Sequence, residues 1–371
     1  MKAVDRRTVL VATGGGLLAA LGLTSAEVRG DAGPLFVACH ADSEDRHHVA
    51  SFEPTGHCRF DLPLPARGHA MAFAESRSEM VVFARRPGRF DVVIDYGEGV
   101  ALHRIDAPDG RQFYGHGAFA DGDRLLLATE NDYASGDGVI GLYDAADGYR
   151  RVGEYHSHGI GPHELVLMPD GKTLAIANGG IRTHPERGRA KLNLDTMAPS
   201  LVFADLEDGK RVEALHLPAE QHKLSIRHLA ILSDGRLALA MQYEGSKRDN
   251  VPLVALADGS SIQPLLAPDM IQRQMRHYAG SVAVDRSGQL IAISAPRGGL
   301  VTFWDVAERQ YIGNAKTLDG SGVASGKEPG SFVVTSGNGD VLSAKPFLDE
   351  FKSLEILSLG QARWDNHLRS V

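Results

Sequence analysis

The feature that most constrains this chain is a repeated unit of four short apolar runs. Residues 112–155, QFYGHGAFADGDRLLLATENDYASGDGVIGLYDAADGYRRVGEY, divide into runs at 114–120, 124–129, 139–144 and 149–155. Asp121-Gly122, the polar ENDYASGDG and Asp147-Gly148 separate them. Apolar runs of about five or six residues between Asp/Gly/Asn turns predict strands rather than helices. One sheet of four such strands cannot bury both faces, so it requires neighbours stacked on it.

Those neighbours recur along the chain. Gly68-His69, Gly115-His116, Pro162-His163, Arg227-His228, Gly280-Ser281 and Ser321-Gly322 each open a similar unit. GVIGLYDAADG, SLVFADLEDG and GLVTFWDVAER align on Asp144, Asp205 and Asp305. A period of roughly 40 to 65 residues with four strands each is the signature of a β-propeller. Six full units begin near 69, 116, 163, 228, 281 and 322. LFVACH, HHVASFE and HCRFDLP supply a second, third and fourth strand without a first, and WDNHLRSV at the C-terminus supplies one strand left over. Joining the two ends removes two open sheet edges. The expectation is an all-β, seven-bladed propeller over residues 33–371, closed by its C-terminal strand.

Residues 1–26 stand apart from this pattern. Arg6-Arg7 precede an apolar, glycine-rich run too short for a stable anchor, and a cleavage site falls after Ala26. This predicts a twin-arginine signal peptide, hence a periplasmic protein with no membrane span after cleavage. The formal charge of −8 becomes −10 once the +2 of those leader residues is removed, which argues against nucleic acid or an anionic membrane as a partner. Export raises the question of a Cys39–Cys58 disulfide. The strand assignment opposes it, because a whole strand intervenes and two strand spacings are about 9.5 Å.

Antiparallel strands bring the start of each first strand and the end of each second strand to one mouth of the central channel. In ring order the first-strand positions are His367, His69, His116, His163, His228, Ser281 and Gly322. The loops after the second strands add Cys39, His40, Arg85, Glu130, Asn178, Gln242, Glu244 and Arg297. Several neutral imidazoles converging on one concave site suit copper, iron or zinc, two to four of them on any one ion. Glu130, Asn178 and Gln242 could be further ligands or acceptors behind them. The alternative is structural. In WD-repeat propellers a Gly-His pair hydrogen-bonds within its blade, and Trp304-Asp305 on a third strand fits that pattern. An organic ligand held by histidines is a third reading.

The fourth blade carries the longest insertion, residues 179–200, with Arg182, His184, Arg187, Arg189, Lys191 and Asp195. Lid-like loops of this length are functional or disordered. A basic cluster beside a pocket on an acidic protein suggests an anionic ligand, such as a carboxylate-rich chelate or a haem propionate. A solvated loop with internally paired arginines is the plainer reading. No Gly-x-Ser-x-Gly elbow, Walker loop, dinucleotide fingerprint or Cys-x-x-Cys-His occurs, so nucleophilic catalysis and covalent haem have no local support. His184, Glu130 and Glu244 are the available acid–base groups.

FYGHGAF, TENDY, GVIGLYDA, GIGPHELVLMPDG, ANGGIRTHP, KLNLDTMAPSLV, LSIRHLA, QYEG and the closing WDNHL resemble the bacterial family known as domain of unknown function 1513, over essentially the whole mature chain. The resemblance implies a periplasmic seven-bladed propeller without an assigned reaction. It also implies a genomic setting beside imelysin-type iron-regulated proteins and a di-haem oxidoreductase-like protein, and through that association a role in iron acquisition. The histidine-lined mouth is more distantly similar to nitrous oxide reductase, but only five blades offer histidine and no cupredoxin domain follows.

The expected function is therefore a periplasmic binding protein accessory to iron uptake. His69, His116, His163, His228 and His367 would hold an iron or copper ion. Arg182, His184, Arg189, Arg297, Glu130 and Gln242 would contact an anionic chelate. An imelysin-type or di-haem protein is the expected partner. A metal-dependent oxidoreductase, a lactonase-like hydrolase and an interaction platform with structural histidines remain as alternatives.

Overall fold

A computed structural model describes residues 35–371 apart from 189, 347–349, 357, 358 and 361. The proposed leader, residues 1–26, lies outside the described residues. Seven four-stranded antiparallel sheets form the blades of a ring. Their innermost strands are Arg363–Ser370, Gly68–Ala74, Arg111–Ala120, Pro162–Leu167, Leu224–Ile231, Ser281–Val284 and Gly320–Ser325. The ring closes as the repeat count requires. Phe36, Val37 and Ala38 pair with Ser370, Arg369 and Leu368, and Leu35 and Val371 exchange backbone hydrogen bonds of 3.0 and 2.9 Å.

Burial follows strand position. A second strand is covered on both faces by neighbouring blades, so it reads as a continuous apolar run; Leu290–Ala295 is buried at every position. A fourth strand has one face in solvent and alternates, as Arg150–His156 and Cys58–Pro63 do. The spaces between blades are filled by clusters such as Phe83, Phe113, Leu126 and Tyr143. Cys39 lies opposite Val49 and Cys58 opposite Phe52 on the two sides of the strand His47–Phe52, and no disulfide joins them.

One departure from an all-strand chain is the helix Asp269–Gln274 after the fifth blade. Asp269 in its first turn favours a helix start. Gln272 then pins it, donating to the Val251 carbonyl (2.6 Å) and accepting from the Ala267 amide (3.2 Å). The 179–200 insertion contains two short turns, Pro185–Arg187 and Leu194–Thr196. Asn193 clasps its base, accepting from the Arg182 amide (2.7 Å) and donating to the Gly180 carbonyl (2.9 Å).

Candidate functional site: a histidine plug across the channel

All five histidines lie on innermost strands, but only His69 and His163 stand at a strand start as the sequence suggested; His116, His228 and His367 lie mid-strand, because Arg111–Ala120, Leu224–Ile231 and Arg363–Ser370 begin several residues earlier. Their rings converge on the ring axis. Neighbouring centroids lie 4.4 Å (His69–His367), 5.0 Å (His69–His116), 4.9 Å (His116–His163), 4.7 Å (His163–His228) and 4.8 Å (His228–His367) apart. One nitrogen from each of His69, His116 and His367 falls within 4.8 Å of the others, and the same holds for His116, His163 and His228. His116 belongs to both groups.

This approach depends on glycine. Gly115 has φ +96°, and a Cβ there would stand 2.6 Å from Cδ2 of His69. Only glycine lets the backbone before His116 pass over the His69 ring.

Two carboxylates orient the plug from behind. Asp365 Oδ1 faces His69 Nδ1 at 3.4 Å and accepts from Arg85 at 2.9 Å, and its other oxygen accepts from Arg67. Burial alone would raise the Asp365 carboxyl. The hydrogen bond to His69 and the charges of Arg85 and Arg67 overcome this and hold it well below the usual carboxylate range. Glu164 Oε2 lies 3.1 Å from His228 Nδ1, and its Oε1 lies 3.7 Å from His116 Nδ1. A carboxylate on Nδ1 leaves Nε2 of the same ring to face the centre, the arrangement that prepares an imidazole to ligate.

The inward nitrogens find little in return. His116 Nε2, His163 Nδ1 and His367 Nε2 are buried without a hydrogen-bond partner among the described residues. None of the five rings hydrogen-bonds to another or to a backbone group among those residues, which separates them from the within-blade role of a WD-repeat histidine. The Trp304 indole bonds Thr302 instead, at 3.0 Å. Burial is also the leading cause that lowers these imidazoles: His69 to about 4, and His116, His163 and His367 well below the ordinary value. At neutral pH these four are uncharged and can donate a lone pair.

The plug separates two spaces. Towards the mouth, a chamber of about 250 Å³ has His69, His163 and His228 in its floor and Arg85, Arg86, Arg227 and Arg297 among its walls. On the other side a channel of about 480 Å³ runs along the innermost strands, with His116, His228, His367 and Glu164 at its end.

The other sequence-predicted residues divide. Arg297 and Gln242 line the mouth chamber, Arg297 lying 4.2 Å over the Tyr278 ring. Glu130 does not. It is fully buried within its blade, bonded to Tyr143 (2.7 Å) and Arg151 (2.7 Å), and occupies the space left by the missing side chain of Gly141. Arg182 is exposed and packs over Gly136. His184 caps the turn Pro185–Arg187, accepting from the Glu186 amide at 3.3 Å, and lies against Tyr133. Arg189 is outside the described residues. Asn178 does not reach the chamber either: it is fully buried and donates to the Ser157 carbonyl at 2.9 Å. Cys39 and His40 open onto a separate cavity behind Asp365.

Sequence reasoning had not assigned roles to Asp365, Glu164, Arg86 and Arg227. Glu164 and Arg227 each adjoin a plug histidine in sequence, a signal that would have found them. Asp365 meets His69 across a separation of 296 residues through ring closure alone.

Fold and site together define a seven-bladed propeller whose channel is crossed by five histidines. A family model described as "Protein of unknown function (DUF1513)" matches residues 62–371, and the chain belongs to that family. Among solved structures, one described as "Crystal Structure of Mitotic Checkpoint Complex" contains a similar chain at 13% identity and a TM-score of 0.55, covering 77% of this chain and 78% of that one. That likeness concerns the fold alone. No curated protein matches the sequence.

Proposed function

We propose that the protein binds a transition-metal ion, free or as a chelate, at the histidine plug. The observation that carries this reading is that two sets of three imidazole nitrogens, on His69, His116 and His367 and on His116, His163 and His228, each lie within 4.8 Å of one another, while His116 Nε2, His163 Nδ1 and His367 Nε2 are buried without a hydrogen-bond partner among the described residues. Each unpaired buried polar atom costs about 1–3 kcal/mol, so three of them weigh heavily against a net domain stability of roughly 5–15 kcal/mol. A metal ion recovers that cost by accepting the lone pairs. Imidazoles with a carboxylate behind them, Asp365 beside His69 and Glu164 beside His228, suit copper, iron or zinc. The donor set contains no thiolate, which disfavours the softest ions.

Iron or copper binding in the periplasm, accessory to iron uptake and alongside an imelysin-type or di-haem partner, is the setting suggested by the family resemblance. Among the described chamber residues no hydroxyl or thiol hydrogen-bonds a histidine or carboxylate, Tyr114 bonding Thr183 and Tyr278 bonding Asn366, so binding stands ahead of catalysis.

Titrating chelator-treated protein with copper(II), zinc(II) and anaerobic iron(II) tests the proposal. Wild type should bind about one ion, and His116→Ala/His163→Ala should weaken binding by about 100-fold or more while keeping its circular dichroism spectrum. Equal affinity in wild type and the double variant would remove the plug as the site.

A further inference from the structure

The mouth chamber carries a second chemistry that the histidines do not use. Four guanidiniums, from Arg85, Arg86, Arg227 and Arg297, reach it together with Lys191 of the long insertion. Two of these five cations are compensated: Arg85 by Asp365 at 2.9 Å, and Lys191 by Glu244. Among the described residues no carboxylate stands within 4 Å of Arg86, Arg227 or Arg297. Arg297 instead lies on the Tyr278 ring, and Arg86 is 6.0 Å from the Tyr114 ring. Nε of Arg227 is buried without a hydrogen-bond partner. Three cations without an ion pair, in a small enclosure whose one described lining carboxylate, Glu244, already pairs with Lys191, are not a consequence of the composition of a chain whose net charge is −8.

We infer that this chamber is an oxyanion site for a small ligand bearing at least two negative charges, a polycarboxylate or a phosphate, held by Arg86, Arg227 and Arg297. Guanidinium groups present paired N–H donors that match carboxylate and phosphate oxygens two at a time. The volume of about 250 Å³ lies below the usual range for drug-sized ligands, which selects a small metabolite-sized anion. His69, His163 and His228 form part of the same enclosure, so a bound anion would lie against the plug. There it would offset the repulsion that three unpaired guanidiniums exert on any cation held by the histidines.

The site stands on the arginines, so its test needs no metal. Chelator-treated protein is titrated calorimetrically with citrate, malonate, inorganic phosphate and acetate. Citrate, malonate or phosphate should bind measurably more tightly than acetate, and the tighter class identifies the source of the oxyanion. Arg297→Gln and Arg86→Gln should each weaken that binding about ten-fold, the scale of one charge-assisted hydrogen-bond pair. Arg104→Gln, on an outermost strand, should not. Arg227→Lys, which keeps the buried charge and loses the fork, should weaken it as well, with melting temperature confirming the fold. Failure of all three polyanions to bind, or equal loss in Arg104→Gln, would overturn the assignment. Because the protein is metal-free throughout, either result leaves the metal titration to be judged separately.

Discussion

A methyl group added at Gly115 would meet the His69 ring at 2.6 Å, on a backbone with φ +96° that side chains avoid. Gly115→Ala should therefore cost about 1–3 kcal/mol in backbone strain and displace His69 or His116 as well. Urea unfolding measures the first effect and metal titration the second; an unchanged midpoint would contradict the packing described. The histidines also make a pH prediction. The folded values of His69, His116, His163 and His367 lie below the unfolded value near 6.5, with His69 at about 4. Between those limits the unfolded chain binds more protons than the folded one, so stability is full above about pH 6.5 and falls as pH drops towards 4. Each of these four contributes up to about 1.4 kcal/mol per pH unit in that window. Unfolding free energies at about pH 7.5 and about pH 5 should differ by a few kcal/mol, and less in His116→Gln, which removes one such group. A flat profile would mean the imidazoles are solvated. At this scale the histidines were legible because a repeat marks them five times. Asp365 was not, because its partners Arg67, His69 and Arg85 lie at the opposite end of the sequence.

The closing strand Arg363–Ser370 belongs to the N-terminal blade by pairing and to the plug by His367 and Asp365. Removing residues 363–371 should expose the edges of Phe36–Ala41 and remove one metal ligand and one orienting carboxylate together. The expected outcome is aggregation or loss of cooperative melting, read by size-exclusion chromatography and circular dichroism. A monomeric variant with a wild-type melting curve would contradict closure. Strand positions could be read from the sequence because apolar runs and Asp/Gly turns are local signals. The direction of individual side chains could not. Glu130, at the end of a second strand, reads as a rim acid, yet it turns into the blade towards Tyr143 and Arg151 because Gly141 across the ladder leaves it room. Gln242 and Arg297, also from second-strand ends, turn into the chamber instead.

Across the whole molecule the ring concentrates a charge pattern that overall composition hides. An acidic chain gathers guanidiniums at one mouth and imidazoles below them, with a larger channel of about 480 Å³ beyond. Repeat counting gives the ring, and the ring gives the convergence. Which rim residues share the chamber depends on seven sheets packing at once, and that is beyond any local pattern. The most direct test of the central claim is elemental analysis of protein purified without chelators or a histidine tag from the cells that make it. Wild type should carry near-stoichiometric iron, copper or zinc, and His116→Ala/His163→Ala should lose it. A wild-type protein that carries no metal, and takes up none when iron, copper and zinc are supplied, would contradict that claim.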